Sequence, residues 1–350
     1  MKSTSGKYYR SLDHVRGFAA FVVFSWHYLS FQGGEYKEPL NFFLSIFTEG
    51  HTGVAIFMTL SGYLFAKLLD GRDYSFPKFF FNRIVRLFPL LLAVFLTKTA
   101  SAFFTGTADW DWFRPLLFGF VLPTWPNGGW SIAVELHFYL AMAMSKRARS
   151  YAPLLLLLPM AVRLVIYLIE GEVQSLAYWT IIGRVDQFLI GILMYQYRHV
   201  FTDRHVVAAV VAAAFLGIWY WFDTLGGFYK APSYPSPNPV WIVLTTIEGF
   251  AYGALICWYD NSFQHEPSRA SRFFEAVGTY SYSIYLLHFF IVFRIPPLIH
   301  EHLFDLSNRY LLFATVIPSF LVMVGIAAVS YHVIEKPFLR FRIRYLKDQA

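Results

Sequence analysis

Charge is scarce in this chain of 350 residues: Asp, Glu, Lys and Arg make up 15% of it, against about 25% in soluble domains. Cysteine is scarcer still. Cys257 stands alone inside an apolar stretch, which excludes an intrachain disulfide, a cysteine-based zinc site and an iron–sulfur cluster. Its expected place is that of a small buried hydrophobe rather than a nucleophile. No internal repeat is visible, which weakens the case for an inverted-repeat transporter. The longest stretches outside apolar segments, about 103–128 and 223–239, are too short for an independent soluble domain. Pro232, Pro235, Pro237 and Pro239 stiffen the second. No small-residue cleavage site follows Lys2, Lys7 and Arg10, so the first apolar run is expected to be an uncleaved helix rather than a signal peptide.

What the chain has instead is apolar and aromatic mass. It is 57% hydrophobic and 20% aromatic, with a mean hydropathy of +0.45. This composition predicts an all-α polytopic membrane protein with interfacial aromatic belts. Ten spans can be placed, at about 15–32, 42–66, 80–102, 129–145, 151–169, 177–198, 205–222, 240–259, 278–299 and 308–333. Counting alternate connections from the N-terminus assigns 21 of the 29 Lys and Arg residues to one side. The same side holds both termini, which the positive-inside rule makes cytoplasmic. The formal charge of +7 is spread between apolar spans, so nucleic acid is not an expected partner. The expected organisation is one integral membrane domain over 1–350, with cytoplasmic tails at 1–10 and 338–350 and no fused soluble domain.

Ionisable groups inside such spans are functional candidates by default, with internal pairing as the plain alternative. Arg16 and His27 are eleven residues apart, a rotation of about 20° beyond three helical turns and about 16 Å of rise. They therefore share one helix face, and neutral imidazole suits general-base work near neutral pH. Arg83 and Arg86 project from one face at the cytoplasmic border. Their type and pairing suit bidentate phosphate recognition, although ordinary positive-inside anchoring would look similar. Ser131 and Glu135 form an i, i+4 pair after a Gly-Gly turn. Arg184 and Asp186, like Glu248 and Arg294, are as readily read as pairs holding helices together. No metal site is expected.

The combination of motifs resembles the acyltransferase-3 family of integral membrane acyltransferases. The matching segments are Leu12-Asp-His-Val-Arg16-Gly with His27; Gly53-Val-Ala-Ile-Phe57 with Leu60-Ser-Gly-Tyr-Leu64; Arg83-Ile-Val-Arg86-Leu-Phe-Pro89; and Trp130-Ser-Ile-Ala-Val-Glu135. Arg184-Val-Asp-Gln-Phe188, Ser281-Tyr-Ser-Ile-Tyr-Leu-Leu-His288 and Ile334-Glu-Lys-Pro337 follow in order. His14 stands where the family usually has Gly, and Leu136 where a second Glu is usual. The resemblance implies transfer of an acyl group, most often acetyl from acetyl-CoA, to a hydroxyl of a surface or lipid-linked glycan at a bacterial inner membrane. It implies no permanently bound cofactor, and membrane lipid as a partner. On that reading Arg16, Arg83 and Arg86 hold the CoA phosphates, His27 is base or transient acyl carrier, and Glu135 orients His27 or the sugar. Ser61, Trp130, Ser131, Tyr139, Arg184, Asp186 and His288 are candidates for substrate binding or support. A transporter or glycan flippase, whose intramembrane charges line a pathway, is the alternative; a non-catalytic scaffold leaves the arginines and His27 without a reason.

Overall fold

The computed structural model describes residues 9–30, 41–69, 72–107, 110–122, 124–125, 127–143, 155–230 and 232–346. Lys2, Lys7, Lys37, Lys146, Arg147, Arg149 and Lys347 of the basic set lie outside the described residues, with Glu35, Glu38 and Asp109. So do the side chains of Trp110, Asp111 and Trp112. Among the described residues there is no β-strand, only an isolated antiparallel bridge between Tyr74 and Leu346. The longer helices are α1 (Arg10–Leu29), α2 (Thr52–Leu69), α3 (Phe76–Phe104), α4 (Gly129–Ala143), α5 (Leu157–Glu170), α6 (Ile181–Gln196) and α7 (His205–Thr224). They continue with α8 (Leu244–Ser262), α9 (Arg269–Thr279), α10 (Ser281–Leu287), α11 (Phe289–Val292), α12 (Ile295–His302) and α13 (Arg309–Ser330).

The centre is α2, which packs against α1, α6 and α8. Of its 18 residues, 15 are buried, because it is apolar all round and small where it is crossed. Gly62 meets α6 so closely that an added Cβ would stand 2.0 Å from the Phe188 carbonyl oxygen. Across the same contact, a Cβ at Gly191 would stand 2.1 Å from the carbonyl oxygen of Thr59. Without these two glycines the backbones could not touch, and in lipid such close packing supplies much of the force between helices. A second crossing seats Gly278 of α9 on the backbone of Asp13 in α1. It fixes the end of α1 that carries Arg16.

Outer helices show the opposite pattern. On α3, Phe81, Phe88, Leu92, Leu96 and Phe103 are exposed, at steps of seven, four, four and seven. This is one stripe of a 3.6-residue helix, and lipid is its natural neighbour. Asn82, Leu87, Leu90, Leu91 and Val94 occupy the buried face.

Among the described residues, four helices are long and apolar enough to cross a membrane: Thr52–Leu69, Phe76–Phe104, His205–Thr224 and Arg309–Glu335. A fifth is counted if Ser281–Leu287 and Phe289–His302, bent by 47° at His288, form one span. The chain is thus an integral membrane protein, but not all ten expected segments stand out by length and composition. The physical reason lies in the others. Helices α1, α6 and α8 carry Asp13 and Arg16, Arg184 and Asp186, and Glu248 and Asp260; α5 is short, and α4 runs into residues outside the described set.

The last described residues are tied down. The Asn82 side chain donates to the Ile343 carbonyl at 2.7 Å and accepts from the Ile343 N–H at 2.9 Å. The Ser75 N–H donates to the Tyr345 carbonyl at 2.8 Å. Residues 342–346 therefore lie along the first turns of α3 rather than trailing as a basic tail.

Candidate active site

Phe57 and Ser61 are two of the three residues of α2 that are not buried. They are one helical turn apart and open onto a cavity of about 720 Å³, counted out to its open side. Along α2 its lining runs from Val54 to Leu64, about 15 Å at 1.5 Å per residue. Helix α1 contributes Arg16, α3 contributes Arg83 and Arg86, α4 contributes Ser131 and Glu135, and α10 contributes Ser281, Tyr282 and Tyr285. Arg16, Arg83, Arg86, Ser61, Ser131 and Glu135, far apart in sequence, thus meet around one space.

The cations fall at one end. Arg16 donates to Asp13 at 2.7 Å, an i, i+3 pair within α1. The Arg83 guanidinium lies 4.8 Å from the ring centre of Tyr139 and 5.0 Å from that of Phe79. Neither Arg83 nor Arg86 donates a hydrogen bond to a described residue. Two half-buried guanidinium groups, each with five donors, therefore face the cavity with no hydrogen-bond acceptor among the described residues. Such an end is built for an anion, and planar bidentate donors match phosphate best.

Glu135 faces this same half. Its Oε1 accepts from Ser61 at 2.9 Å and from Tyr139 at 2.6 Å. The next residue, Leu136, points into the core. Thus Tyr139 supports Glu135 and stacks on Arg83, while Trp130 packs against Tyr178 and Trp179. Ser131 lies 2.8 Å from the Tyr285 hydroxyl.

His27 is not part of the cavity lining, and its partner is not Glu135. Its Nδ1 donates to the Val23 carbonyl at 3.0 Å and lies 3.2 Å from Nε2 of His288. His288 in turn directs Nδ1–H to the Tyr285 carbonyl at 2.6 Å. The order of donors fixes the protons. With His288 donating from Nδ1, its Nε2 accepts, so His27 carries its proton on Nδ1 and keeps a lone pair on Nε2. No described residue bonds to that Nε2. Tyr285 links the two regions, its ring lining the cavity and its carbonyl holding His288. Sequence reading named His288 only as a supporting candidate. The signal for more was the three-residue step from Tyr285 to His288 at a break in the helix.

Arg184 and Asp186 lie elsewhere, in a buried network. Arg163 of α5 meets Asp186 at 2.6 Å, and Asp186 also accepts from Thr246 at 2.5 Å. Arg184 donates to the Tyr178 carbonyl and to Gln187, and lies 3.9 Å from Glu248. These charges tie α5, α6 and α8 together, the structural alternative stated for them. His14 points away from the cavity, because two residues along a helix is a turn of about 200°. Its ring bonds to the Tyr259 hydroxyl at 2.8 Å and to the Ser271 carbonyl at 3.0 Å. Cys257 is buried, with its sulfur 3.4 Å from the Met194 carbonyl.

The profile of a family described as an acyltransferase domain matches residues 9–332. A relative from Bacillus subtilis strain 168, provisionally named the peptidoglycan O-acetyltransferase YrhL, is 26% identical over 96% of this chain and 56% of its own length. The acyltransferase MdmB of Streptomyces mycarofaciens is 28% identical over 38% of each chain. The chain thus spans little more than half the length of the first relative and less of the second. No solved structure matches it.

Proposed function

The chain belongs to the acyltransferase-3 family, and from that premise we propose that it is a membrane O-acyltransferase using acyl-CoA, foremost acetyl-CoA, as donor. The acceptor is a hydroxyl of a surface or lipid-linked glycan, a class to which the name of the Bacillus relative also points. The observation that carries the donor reading is the pair Arg83 and Arg86, facing a cavity with no hydrogen-bond acceptor among the described residues. The proposed topology has ten spans with both termini cytoplasmic, in a bacterial inner membrane. That places the arginine end toward the cytoplasm, where CoA is supplied.

In this reading Arg16, Arg83 and Arg86 hold the CoA phosphates, and the thioester arm lies along the Val54–Leu64 face of α2. His27 Nε2 takes the proton of the acceptor hydroxyl as that oxygen attacks the thioester carbonyl. The carbon–sulfur bond breaks, and the departing thiolate takes the proton back. The variant path makes an acyl-imidazole on Nε2 first, with the CoA thiolate leaving as the carbon–sulfur bond breaks; the acceptor oxygen then displaces the ring, and its proton passes to the thiolate. Either path uses the nitrogen that the His288 contact leaves open. Tyr285 must yield for the thioester to reach it, since His27 stands behind the cavity wall.

Purified protein in lipid, given isotope-labelled acetyl-CoA and acceptor glycan, is expected to label the glycan and release CoA. Arg86→Gln is expected to raise the KM for acetyl-CoA by about 10–100-fold, the worth of one or two charge-assisted hydrogen bonds. Glycan movement without acetyl-CoA consumption would replace this reading with that of a flippase.

A further inference from the structure

Two tyrosines are held at the surface in the connection between α7 and α8. Tyr229 and Tyr234 are 42% and 43% exposed, yet the backbone that carries them is fixed. The fully buried ring of Phe228 packs against both, its centre 4.9 Å from that of Tyr229 and 5.5 Å from that of Tyr234. The Phe228 N–H donates to Glu49 at 3.0 Å, and its carbonyl accepts from Gln174 at 2.8 Å. Gln174 also accepts from the Ser236 N–H at 2.5 Å, so one side chain clamps the segment on both sides of the tyrosines. Glu49 and Gln174 are themselves buried, a costly place for polar groups unless their hydrogen bonds are made. Interfacial belts also expose tyrosine, but a belt needs rings at the right depth, not a backbone gripped at both ends.

Two lines of contact lead from these rings to His27, which is only partly buried. Tyr229 stacks on Trp26, with centres 5.9 Å apart and planes 17° from parallel, and Trp26 lies 4.6 Å from the His27 ring. The Tyr234 hydroxyl accepts from Trp179 Nε1 at 3.0 Å, and Trp179 meets Trp130 edge-on at 4.6 Å. Next to Trp130 is Ser131, whose partner Tyr285 holds His288, and His288 in turn meets His27. We propose that Tyr229, Tyr234 and Trp179 form the subsite for the acceptor saccharide, which stacks on their faces and offers its hydroxyl to His27 Nε2. The inference rests on the acyl-transfer reading above and adds the acceptor site which that reading leaves unassigned. A sugar ring has an apolar C–H face edged by hydroxyls, and tyrosine and tryptophan pair an apolar face with a polar edge in the same way. In the proposed topology the 223–239 connection lies outside, where a surface or lipid-linked glycan is met. The arginine-lined cavity is left to the donor.

The test uses the full chain in lipid nanodiscs with labelled acetyl-CoA. Its acceptor probe is envelope glycan extracted from cells deleted for this chain and stripped of ester-linked acyl groups by mild alkali. Tyr229→Leu and Tyr234→Leu are each expected to raise the KM for this glycan by about 3–10-fold, the worth of one aromatic stacking contact. The double variant should raise it by about 10–100-fold. CoA binding and the KM for acetyl-CoA stay near the original. Tyr229→Phe keeps the flat face and recovers most of the loss, which leucine, equally apolar, does not. Unliganded thermal midpoints within a degree or two of one another show that the variants are folded.

Leucine variants with the original glycan dependence overturn the subsite alone and leave the rings to the membrane interface. A Tyr229→Phe protein as weak as Tyr229→Leu overturns stacking. A KM for acetyl-CoA that rises as far as the KM for glycan marks general damage and overturns the subsite too. Original protein that transfers no label to this glycan overturns the acyl-transfer reading and the subsite together.

Discussion

Replacing His27 with alanine is expected to lower acyl transfer by about 10²–10⁴-fold, the usual contribution of a positioned general base. CoA binding should be close to unchanged, because Arg16, Arg83 and Arg86 line the cavity and the imidazole does not. The companion substitutions at His288 separate position from chemistry. His288→Gln keeps an oxygen that can accept the Nδ1–H of His27, whereas His288→Leu removes that acceptor and leaves the Nδ1–H only the Val23 carbonyl. Transfer should fall by up to about tenfold in the leucine variant, the worth of one neutral hydrogen bond. The glutamine variant should recover most of it. Full activity in His27→Ala would remove the imidazole from the mechanism, whichever path it follows.

The second large effect is on folding. Asp186→Ala leaves Arg163 fully buried with its carboxylate gone. Breaking a buried pair in this way costs about 3–5 kcal/mol, which in a marginally stable protein is enough to deplete the folded form. The expected result is little or no monodisperse protein after extraction, or a strongly lowered thermal midpoint in what survives. Arg163→Met combined with Asp186→Leu should recover much of that stability, because the packed apolar pair leaves no charge uncompensated. A stable, well-folded Asp186→Ala protein without transfer activity would instead move Asp186 into the chemistry.

The meeting of Arg83, Arg86, Ser131 and Glu135 around one cavity was partly legible in the sequence, and the reason is helical periodicity. Arg83 and Arg86, or Ser131 and Glu135, share a face by spacing alone, and both pairs reach the same cavity. Spacing could not say what stands across the gap. The turn from Arg16 to His27 placed both on one face of α1, yet Arg16 lines the cavity and His27 does not. Tyr285 and His288, from a helix more than 250 residues later, decide that difference. Arg342, tied down at the start of α3, was hidden for a similar reason. Its backbone place depends on two hydrogen bonds between Asn82 and the next residue, Ile343, one in each direction, and Asn82 has no ionisable group to draw notice. The spans were the least legible. Apolar length is diluted where a helix carries buried ionic partners, as α6 and α8 do, and no hydropathy pattern reveals that Asp186 is answered by Arg163.

The lone buried cysteine has a practical consequence for following the protein in motion. Exchanging Cys257 for alanine gives a chain without thiols, ready for paired cysteines and cross-linking. The glycine contact between α2 and α6 leaves no slack, so a cross-link placed there should be silent. On the proposed mechanism, opening of the cavity to admit the donor is expected at the wall formed by α3 and α10 instead. Tyr282 already reaches from α10 to the Leu87 carbonyl of α3, at 2.5 Å. A reversible bridge between those two helices would halt turnover while formed and release it when reduced, marking which wall of the cavity has to move in each catalytic cycle.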